Sequence, residues 1–192
     1  GTSMDYDSSF ATNASNFPDY SGQTPYRETQ YENSPLHRVL KSSQAGNDWD
    51  LPTSTADPDH TKRIEYYNAT SADKVKIYKA QSTWNSLTRV YDINLTAAGS
   101  TFYGSDELTK TLVKNENWSV VNGNNNTTQD FKNKEGNLIL KRTFNANIAY
   151  DTYYVYDQFG NLTYIIPPAV TNISTQLADM CYQYKYDYRN RL

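Results

Sequence analysis

The fold of this chain is decided by the stretch Asp151-Thr-Tyr-Tyr-Val-Tyr-Asp157-Gln-Phe-Gly160-Asn161-Leu162-Thr-Tyr-Ile-Ile166, which reads as strand, four-residue turn and strand. Alternate side chains in both arms point to opposite faces, as a strand requires. The Asp157 carboxylate can accept a hydrogen bond from a backbone N–H two residues on, and Gly160 can adopt a positive φ without a Cβ clash. The stretch therefore predicts a β-hairpin with its corner at residues 157–160.

Variants of this turn recur along the chain. The shared pattern is Asp or Asn, two variable residues, Gly or Asn, Asn or Arg, and then Leu. Three copies begin at residues 133, 157 and 187, a weaker one covers 103–108, and the glycine-equivalent positions are 106, 136, 160 and 190. Intervals of about 20 to 50 residues are typical of repeat arrays, in which each unit buries its apolar face on its neighbours. The predicted corner residues are Asn133, Gly136, Asp157, Gly160, Asp187 and Asn190.

The rest of the chain also favours strands. Residues 1–24 are rich in Ser, Asp, Asn and Thr, and they predict an irregular lead-in. Residues 25–192 predict a single all-β domain of antiparallel hairpins that form a twisted, curved meander. Within it, 62–68 is expected to pair with 74–80, a turn is expected at 96–100, and 128–131 is expected to pair with 138–144. The remaining predicted strands are 26–31, 38–42, 87–92 and 108–114.

The C-terminal part combines one helix with a tyrosine-rich strand. Two prolines at 167 and 168 end the preceding strand, because proline cannot donate to a ladder. Residues 173–179 are the only segment that indicates a short helix. Residues 181–188 alternate with a strict period of two, which predicts a strand. Its tyrosines fall on one face: Tyr182, Tyr184, Tyr186 and Tyr188.

Composition narrows the classes of function. The formal net charge is −3, and neither a basic block nor a long acidic tail indicates nucleic acid or a cationic partner. The chain has no apolar run of about 18 residues, so no membrane span is predicted. The single cysteine, Cys181, is expected to be a buried free thiol. The first residues and the end in mid-pattern at Leu192 predict a piece of a longer polypeptide.

The turns resemble a known family. The Tyr-Asp pairs in Tyr156-Asp157-Gln-Phe-Gly-Asn-Leu and Tyr186-Asp187-Tyr-Arg-Asn-Arg-Leu resemble the signature of the YD-repeat, or Rhs-repeat, proteins. Residues 31–40, 134–142 and 153–168 are similar to the segment leading into the repeat core of large surface proteins from Bacteroides-like bacteria. The resemblance covers about residues 25–192. The copy near 106 lacks both Tyr-Asp and Gly, so the number of units in the first half stays open.

The resemblance implies a long β-sheet that spirals into a hollow shell, which encloses a C-terminal effector in toxin members. Other members lie at the cell surface or wall, and sugar binding is often proposed for them. The expected location is therefore the cell surface or the medium. The main expected partner is the rest of the same large polypeptide. Exposed end strands also predict dimerisation through the sheet edges.

Aromatic side chains are the candidates for ligand binding. Three tryptophans are expected on loops, and three tyrosines of the C-terminal row could stack on the apolar faces of sugars. A half-buried core face requires the same tyrosine pattern and is the favoured interpretation. These candidates are Trp49, Trp84, Trp118, Tyr182, Tyr184 and Tyr186. His37 and His60 lack the spacing of a zinc site, so no metal and no cofactor is predicted.

Three functions remain open. The first is a non-catalytic structural or partner-presenting module. The second is a carbohydrate-binding module, which differs from the first in losing glycan binding when its tryptophans are replaced. The third is a glycoside hydrolase, whose paired carboxylates come from distant strands and lie about 5–10 Å apart in a cleft. No nucleophile–base pair or phosphate-binding loop stands out, so the sequence predicts a non-enzyme.

Overall fold

The computed structural model describes residues 2–5, 26–52 and 59–192, with only the backbone described at 2–5. The chain divides into two compact units. The first unit comprises Gly1–Glu65 and Leu112–Thr127, and the second comprises Tyr66–Thr111 and Thr128–Leu192. The sequence predicted a single domain over residues 25–192.

Antiparallel strands form the first unit. Their order is β1 (Thr2–Asp5), β2 (Arg27–Tyr31), β3 (Val39–Ser42) and β4 (Lys62–Asn68), whose last three residues belong to the second unit. Strand β1 lies in the predicted irregular lead-in and pairs with β2. The other residues of that lead-in, apart from residues 2–5, lie outside the described part of the chain. The strands predicted at 26–31 and 38–42 are confirmed.

The second unit is built on a meander, in which each strand lies beside the next one in the sequence. The meander runs from β7 to β12, with the last three residues of β7 and the first residue of β8 in the first unit, and α1 (Ile173–Met180) precedes its last strand. The predicted hairpins 128–131 with 138–144 and 151–156 with 162–166 are confirmed, as are the short helix and the all-β class. The strands are β7 (Thr109–Lys114), β8 (Thr127–Lys132), β9 (Leu138–Asn145), β10 (Ile148–Tyr156), β11 (Leu162–Ile166) and β12 (Tyr182–Gln183).

Two long strands pair with each other apart from the meander. They are β5 (Lys76–Asn85) and β6 (Val90–Phe102), here called the ribbon. The predicted pairing of 62–68 with 74–80 is therefore wrong, because β4 lies beside β3, and β5 pairs with β6. The predicted turn at 96–100 is also wrong, since those residues lie inside β6. The register between β5 and β6 shifts twice there, so the polar and glycine residues mark bulges.

The core of the second unit lies on one face of the meander. Phe131, Leu140, Tyr153 and Ile166 are opposite one another on four successive strands, and all four are buried. The ring of Tyr78 in the ribbon meets Tyr153 edge to face at 4.9 Å between centroids. The period-two alternation of the sequence thus puts large apolar side chains on one face, where the ribbon covers them.

The tyrosine-rich segment at the C-terminus is not one long strand. Only Tyr182–Gln183 pairs as β12, and the prediction of a strand over 181–188 is wrong beyond those residues. The chain instead changes partners: the Tyr184 N–H donates to Thr163 O at 2.9 Å, and Tyr186 O accepts from the Tyr91 N–H at 2.9 Å. Because a period-two pattern is satisfied by any extended partner, the sequence does not reveal this switch from β11 to the ribbon.

Candidate functional site

Three turns of the meander share one hydrogen-bond scheme, and they are named here by their first residue: turn 133 (133–137), turn 157 (157–161) and turn 187 (187–191). In each, the first residue's N–H donates to the fifth residue's carbonyl, and the fourth residue's N–H donates to the first residue's carbonyl, at 2.9–3.1 Å. The first side chain also accepts from the fifth N–H, at 2.8 Å in turn 133, 2.9 Å in turn 157 and 3.0 Å in turn 187. The pattern read from the sequence thus corresponds to one repeated backbone geometry.

The fourth position of every turn lies in the left-handed region. Gly136 has φ 85°, Gly160 has φ 80° and Asn190 has φ 55°. Asp106, at the equivalent place in the weak copy 103–108, has φ 64°. That copy nevertheless follows another scheme, because the Asp106 N–H donates to Ala69 O at 2.9 Å. The left-handed residue is therefore common to four places, and the full hydrogen-bond set to three.

Turn 157 also holds the ribbon. The Asp157 Oδ2 atom accepts from the Ser82 hydroxyl at 2.6 Å, and Asp157 is only 9% exposed. Next to it, Gln158 accepts from the Ser82 N–H at 2.9 Å through Oε1 and donates to the Ser82 carbonyl at 2.7 Å through Nε2. Sequence reasoning missed Ser82 and Gln158, because their contact joins residues 76 positions apart.

Turn 187 uses its carboxylate differently. Oδ1 of Asp187 accepts from the Arg189 and Arg191 N–H groups, and Oδ2 accepts from the Arg191 guanidinium at 2.8 Å. These bonds, led by the one from the Arg191 backbone, hold the pKa of Asp187 below its ordinary value. Turns 157 and 187 are linked by the side-chain amides of Asn161 and Asn190 at 3.2 Å. Asp187 therefore serves only its own turn.

An open cleft of about 590 Å³ lies beside the ribbon and turns 133 and 157, and it is named here the β5 cleft. Four successive residues of β5, 78–81, line one side. Burial raises the pKa of Tyr103 in this cleft, and the Glu107 and Glu135 carboxylates act in the same direction. The lining also includes Tyr103, Glu135, Asn137, Ile139, Tyr154 and Tyr156.

The β5 cleft contains two acidic residues, Glu135 and Asp157, and a glycoside hydrolase would require two. The Asp157 carboxylate, however, already accepts hydrogen bonds from the protein. Asp157 accepts from the Phe159 and Asn161 N–H groups through Oδ1 and from the Ser82 hydroxyl through Oδ2. A carboxylate with these bonds is held in place by the fold, and its lone pairs are directed at protein donors. Glu135 is the other carboxylate of this cleft.

A salt-bridge network fixes the loop before the ribbon. Arg142 binds Asp151 with two hydrogen bonds of 2.6 and 2.8 Å and donates a third to the Asp73 carbonyl at 3.0 Å. The Asp73 carboxylate accepts from Lys110 at 2.6 Å and from the Thr70 N–H at 2.8 Å. Beside it, burial raises the pKa of Tyr153 to about 12. These charged groups hold backbone in position, which is a structural role.

The three tryptophans have different surroundings. Trp118, in the first unit, has the Arg63 guanidinium 4.6 Å and the Lys114 ammonium 4.2 Å from its ring centroid. Trp84 lies on strand β5 rather than on the predicted loop, and its ring meets Tyr91 and Tyr188 edge to face. Trp49, in the first unit, is 39% exposed. Its hollow of about 320 Å³ is also lined by Gln44, Ala45, Glu116 and Asn117.

The predicted tyrosine row is divided by the fold. Tyr182 is 64% exposed, whereas Tyr184 and Tyr186 are half-buried. The Tyr186 hydroxyl donates to Leu162 O at 2.9 Å, which ties it to β11. The three tyrosines therefore do not form one flat platform.

The two histidines lie apart in the chain. His37 occupies a turn with φ 47°, and the ring centroid of His60 lies 5.6 Å from that of Trp49.

Membrane-spanning helices and metal-ligand clusters are both absent from the described ranges 2–5, 26–52 and 59–192. Within them, no helix has the length and apolar character needed to cross a membrane. In the same part of the chain, no three His, Cys, Asp or Glu side chains are grouped as metal ligands.

Comparison with known proteins gives one partial match. A family model described as a domain of unknown function, DUF6443, matches residues 1–64 of the 192-residue chain. The match ends one residue before the first segment of the first unit ends at Glu65. No curated protein and no solved structure matches the chain.

Proposed function

We propose that this chain is a non-catalytic scaffold segment of a large secreted or cell-surface protein of the YD-repeat type. The observation that carries the proposal is the identical hydrogen-bond set of turns 133, 157 and 187. Turns 133 and 157 are corners between neighbouring strands of the meander, and turn 187 follows its last strand. The repeated turn thus accompanies strands whose buried face depends on their neighbours. Such a meander forms a β-wall that presents a surface or encloses a partner.

The side chains that the turns bring together support a structural role. One side-chain oxygen of each first residue accepts a hydrogen bond from a backbone N–H of the same turn, at Asn133, Asp157 and Asp187. Asp157 and Gln158 then fasten the ribbon over the meander through Ser82. Polar groups held in this way make a rigid corner, because every oxygen has a fixed donor.

Detection of the native polypeptide tests the proposal. An antibody against this 22.0 kDa chain should recognise a much larger polypeptide in the surface or secreted fraction of the producing cells. Brief protease treatment of intact cells should remove the surface signal and leave a cytoplasmic marker protein unchanged. A protease-resistant band near 22 kDa in the cytoplasmic fraction would contradict both the scaffold role and the location.

A second candidate function, carbohydrate binding, is favoured by the surroundings of Trp49. Its exposed indole shares a hollow with the side chains of Gln44, Glu116 and Asn117. An aromatic face beside amide and carboxylate groups offers a sugar both stacking and hydrogen bonds. Glycan-array screening tests this candidate: Trp49→Ala should abolish binding, whereas Trp84→Ala should preserve it. If the unmodified chain binds no glycan, carbohydrate binding is excluded and the scaffold role is the one that remains.

A further inference from the structure

One edge of strand β5 is paired only at its ends. The other edge pairs with β6 along the whole ribbon. At one end of the open edge, the Lys76 N–H donates to the Tyr153 hydroxyl at 3.3 Å. At the other end, Gln158 bonds both the N–H and the carbonyl of Ser82. A side-chain amide with these two bonds occupies the place that a neighbouring strand's peptide group would take.

The direction of the backbone groups between these ends follows from alternation. The carbonyls of Val75 and Lys79 face β6, since they accept from the Tyr103 N–H and the Thr96 hydroxyl. The N–H groups of Lys76 and Ser82 face away from β6. Successive residues of a strand alternate, so the backbone groups of Tyr78 and Ala80 also face away from β6. Within the described ranges, they have no hydrogen-bond partner on that side.

The β5 cleft lies against this part of β5, and Thr96 of β6 also lines it. Residues 78–81 form one side, and turns 133 and 157 contribute residues to the lining. Its volume, about 590 Å³, lies in the range of roughly 300–1,000 Å³ that is usual for ligand sites. Among the residues that the structure describes, several polar side chains of the lining make no side-chain hydrogen bond, including Lys79, Gln81, Glu135 and Asn137.

We propose that the β5 cleft binds an extended peptide segment, which adds as a strand to the open edge at Tyr78–Ala80. Unpaired peptide groups of an edge strand are matched by another peptide backbone, which donates and accepts at the same spacing. The Asp157 carboxylate already accepts hydrogen bonds from the protein, and the other two charges of the lining, Lys79 and Glu135, are opposite, so an uncharged peptide suits the cleft. Every second side chain of the peptide contacts the tyrosines and Ile139, which favours β-branched and aromatic residues there.

Amide hydrogen exchange tests the open edge in the free protein. The Tyr78 and Ala80 N–H groups should exchange at least about 100-fold faster than those of Lys79 and Gln81, which face β6. Equal protection of all four amides would overturn the proposal, because the edge would then already be paired.

Binding is tested with the peptide acetyl-Val-Thr-Tyr-Thr-amide and the same peptide N-methylated at alternate amides. The unmethylated peptide should protect the Tyr78 and Ala80 amides, and N-methylation should weaken binding at least about tenfold, because it removes the main-chain donors. Equal binding of the two peptides, or binding by neither, would overturn the proposal. Binding of cellobiose at the same amides without binding of the peptide would also overturn it.

A protein variant gives an independent check. Ala80→Pro removes the donor at the centre of the open edge, and proline is tolerated where the N–H faces outward from an edge strand. The variant should lose peptide binding at least about tenfold while Trp49→Ala, in the first unit, keeps it. Unchanged binding by a folded Ala80→Pro variant would overturn the proposal. If that variant does not fold, the N-methylated peptide decides the question with the unmodified protein.

Discussion

Turn 157 and turn 187 have the same backbone but different surroundings. Both close with three matching hydrogen bonds, and both carry an aspartate at the first position. Asp157 is 9% exposed and gives its second oxygen to the ribbon, whereas Asp187 gives its second oxygen to Arg191 of its own turn. The repeat pattern therefore specifies the backbone of the turn, and residues distant in the chain decide how much the stability of the protein depends on that turn.

The largest expected difference follows from removing the two carboxylates. Asp157→Ala leaves the Ser82 hydroxyl and two turn N–H groups without their acceptor, and each hydrogen bond to a charged group contributes about 1.5–3 kcal/mol. Because such contributions are not additive within one carboxylate, we expect a loss of at least about 3 kcal/mol in the free energy of unfolding, measured by urea titration. Asp187→Ala is the matched control and should shift the urea midpoint far less. Equal shifts would show that the ribbon contact adds nothing.

Removing the ribbon's side of the contact should cost less. Ser82→Ala eliminates the hydroxyl that donates to Asp157 but keeps both backbone bonds to Gln158. We expect a loss of about 2 kcal/mol, since a buried charged acceptor loses one donor. A double-mutant cycle with Asp157→Ala measures the coupling between the two side chains. Strict additivity of the two losses would contradict a direct contact.

The fourth positions of turns 133 and 157 are expected to tolerate an added side chain equally. Gly160 has φ 80°, and an added Cβ would meet nothing within 4 Å, so the cost of Gly160→Ala is backbone strain alone. That strain is about 1–2 kcal/mol for an L-residue. Gly136→Ala, at φ 85° and equally open, should cost the same in thermal unfolding. A much larger cost at 160 than at 136 would indicate that ribbon docking depends on Gly160 as well.

Acid should loosen turn 187 through its aspartate. The pKa of Asp187 in the folded chain lies below its ordinary value of 3.8, chiefly because of the hydrogen bond from the Arg191 backbone. A lowered pKa gives stability that is present above that ordinary value and is lost as the pH falls through the folded value. The protection of the Arg189 and Arg191 amides against exchange, relative to unfolded peptides at the same pH, should therefore fall below about pH 4. Asp187→Asn should remove this acid-dependent change, and an unaltered pH profile in that variant would assign it to another group.

The smallest effect is expected from making turn 187 more like turn 157. Asn190→Gly places glycine where φ is 55°, and it removes the amide bond to Asn161 at 3.2 Å. Relief of the left-handed conformation and loss of this exposed bond act in opposite directions. We expect a change within about 0.5 kcal/mol in the urea titration. A loss beyond 1 kcal/mol, about twice that limit, would show that the Asn161–Asn190 bond holds the two turns together.

The sequence predicted what is local and missed what is distant. The hairpin around turn 157 follows from Asp157, Gly160 and the alternation beside them, because all the deciding atoms lie within one turn. The predicted partner of β5 was wrong, because the alternating pattern of β5 is compatible with any neighbouring strand. Ser82 carries no signal of its own, because its partner Asp157 is 75 residues away in the chain. The β5 cleft depends on the same distant contact and was equally invisible.

The strand order of the meander has a consequence for how the chain folds. Strands β8, β9 and β10 each pair with the strand that follows in the sequence. Every pairing therefore closes a short loop, and such local contacts form quickly. A polypeptide that emerges gradually from a ribosome or an export channel can complete one hairpin before the next appears. The ribbon precedes β8 in the chain, so Ser82 can bond the Asp157 carboxylate only after turn 157 has formed, and we expect docking of the ribbon to be the late step.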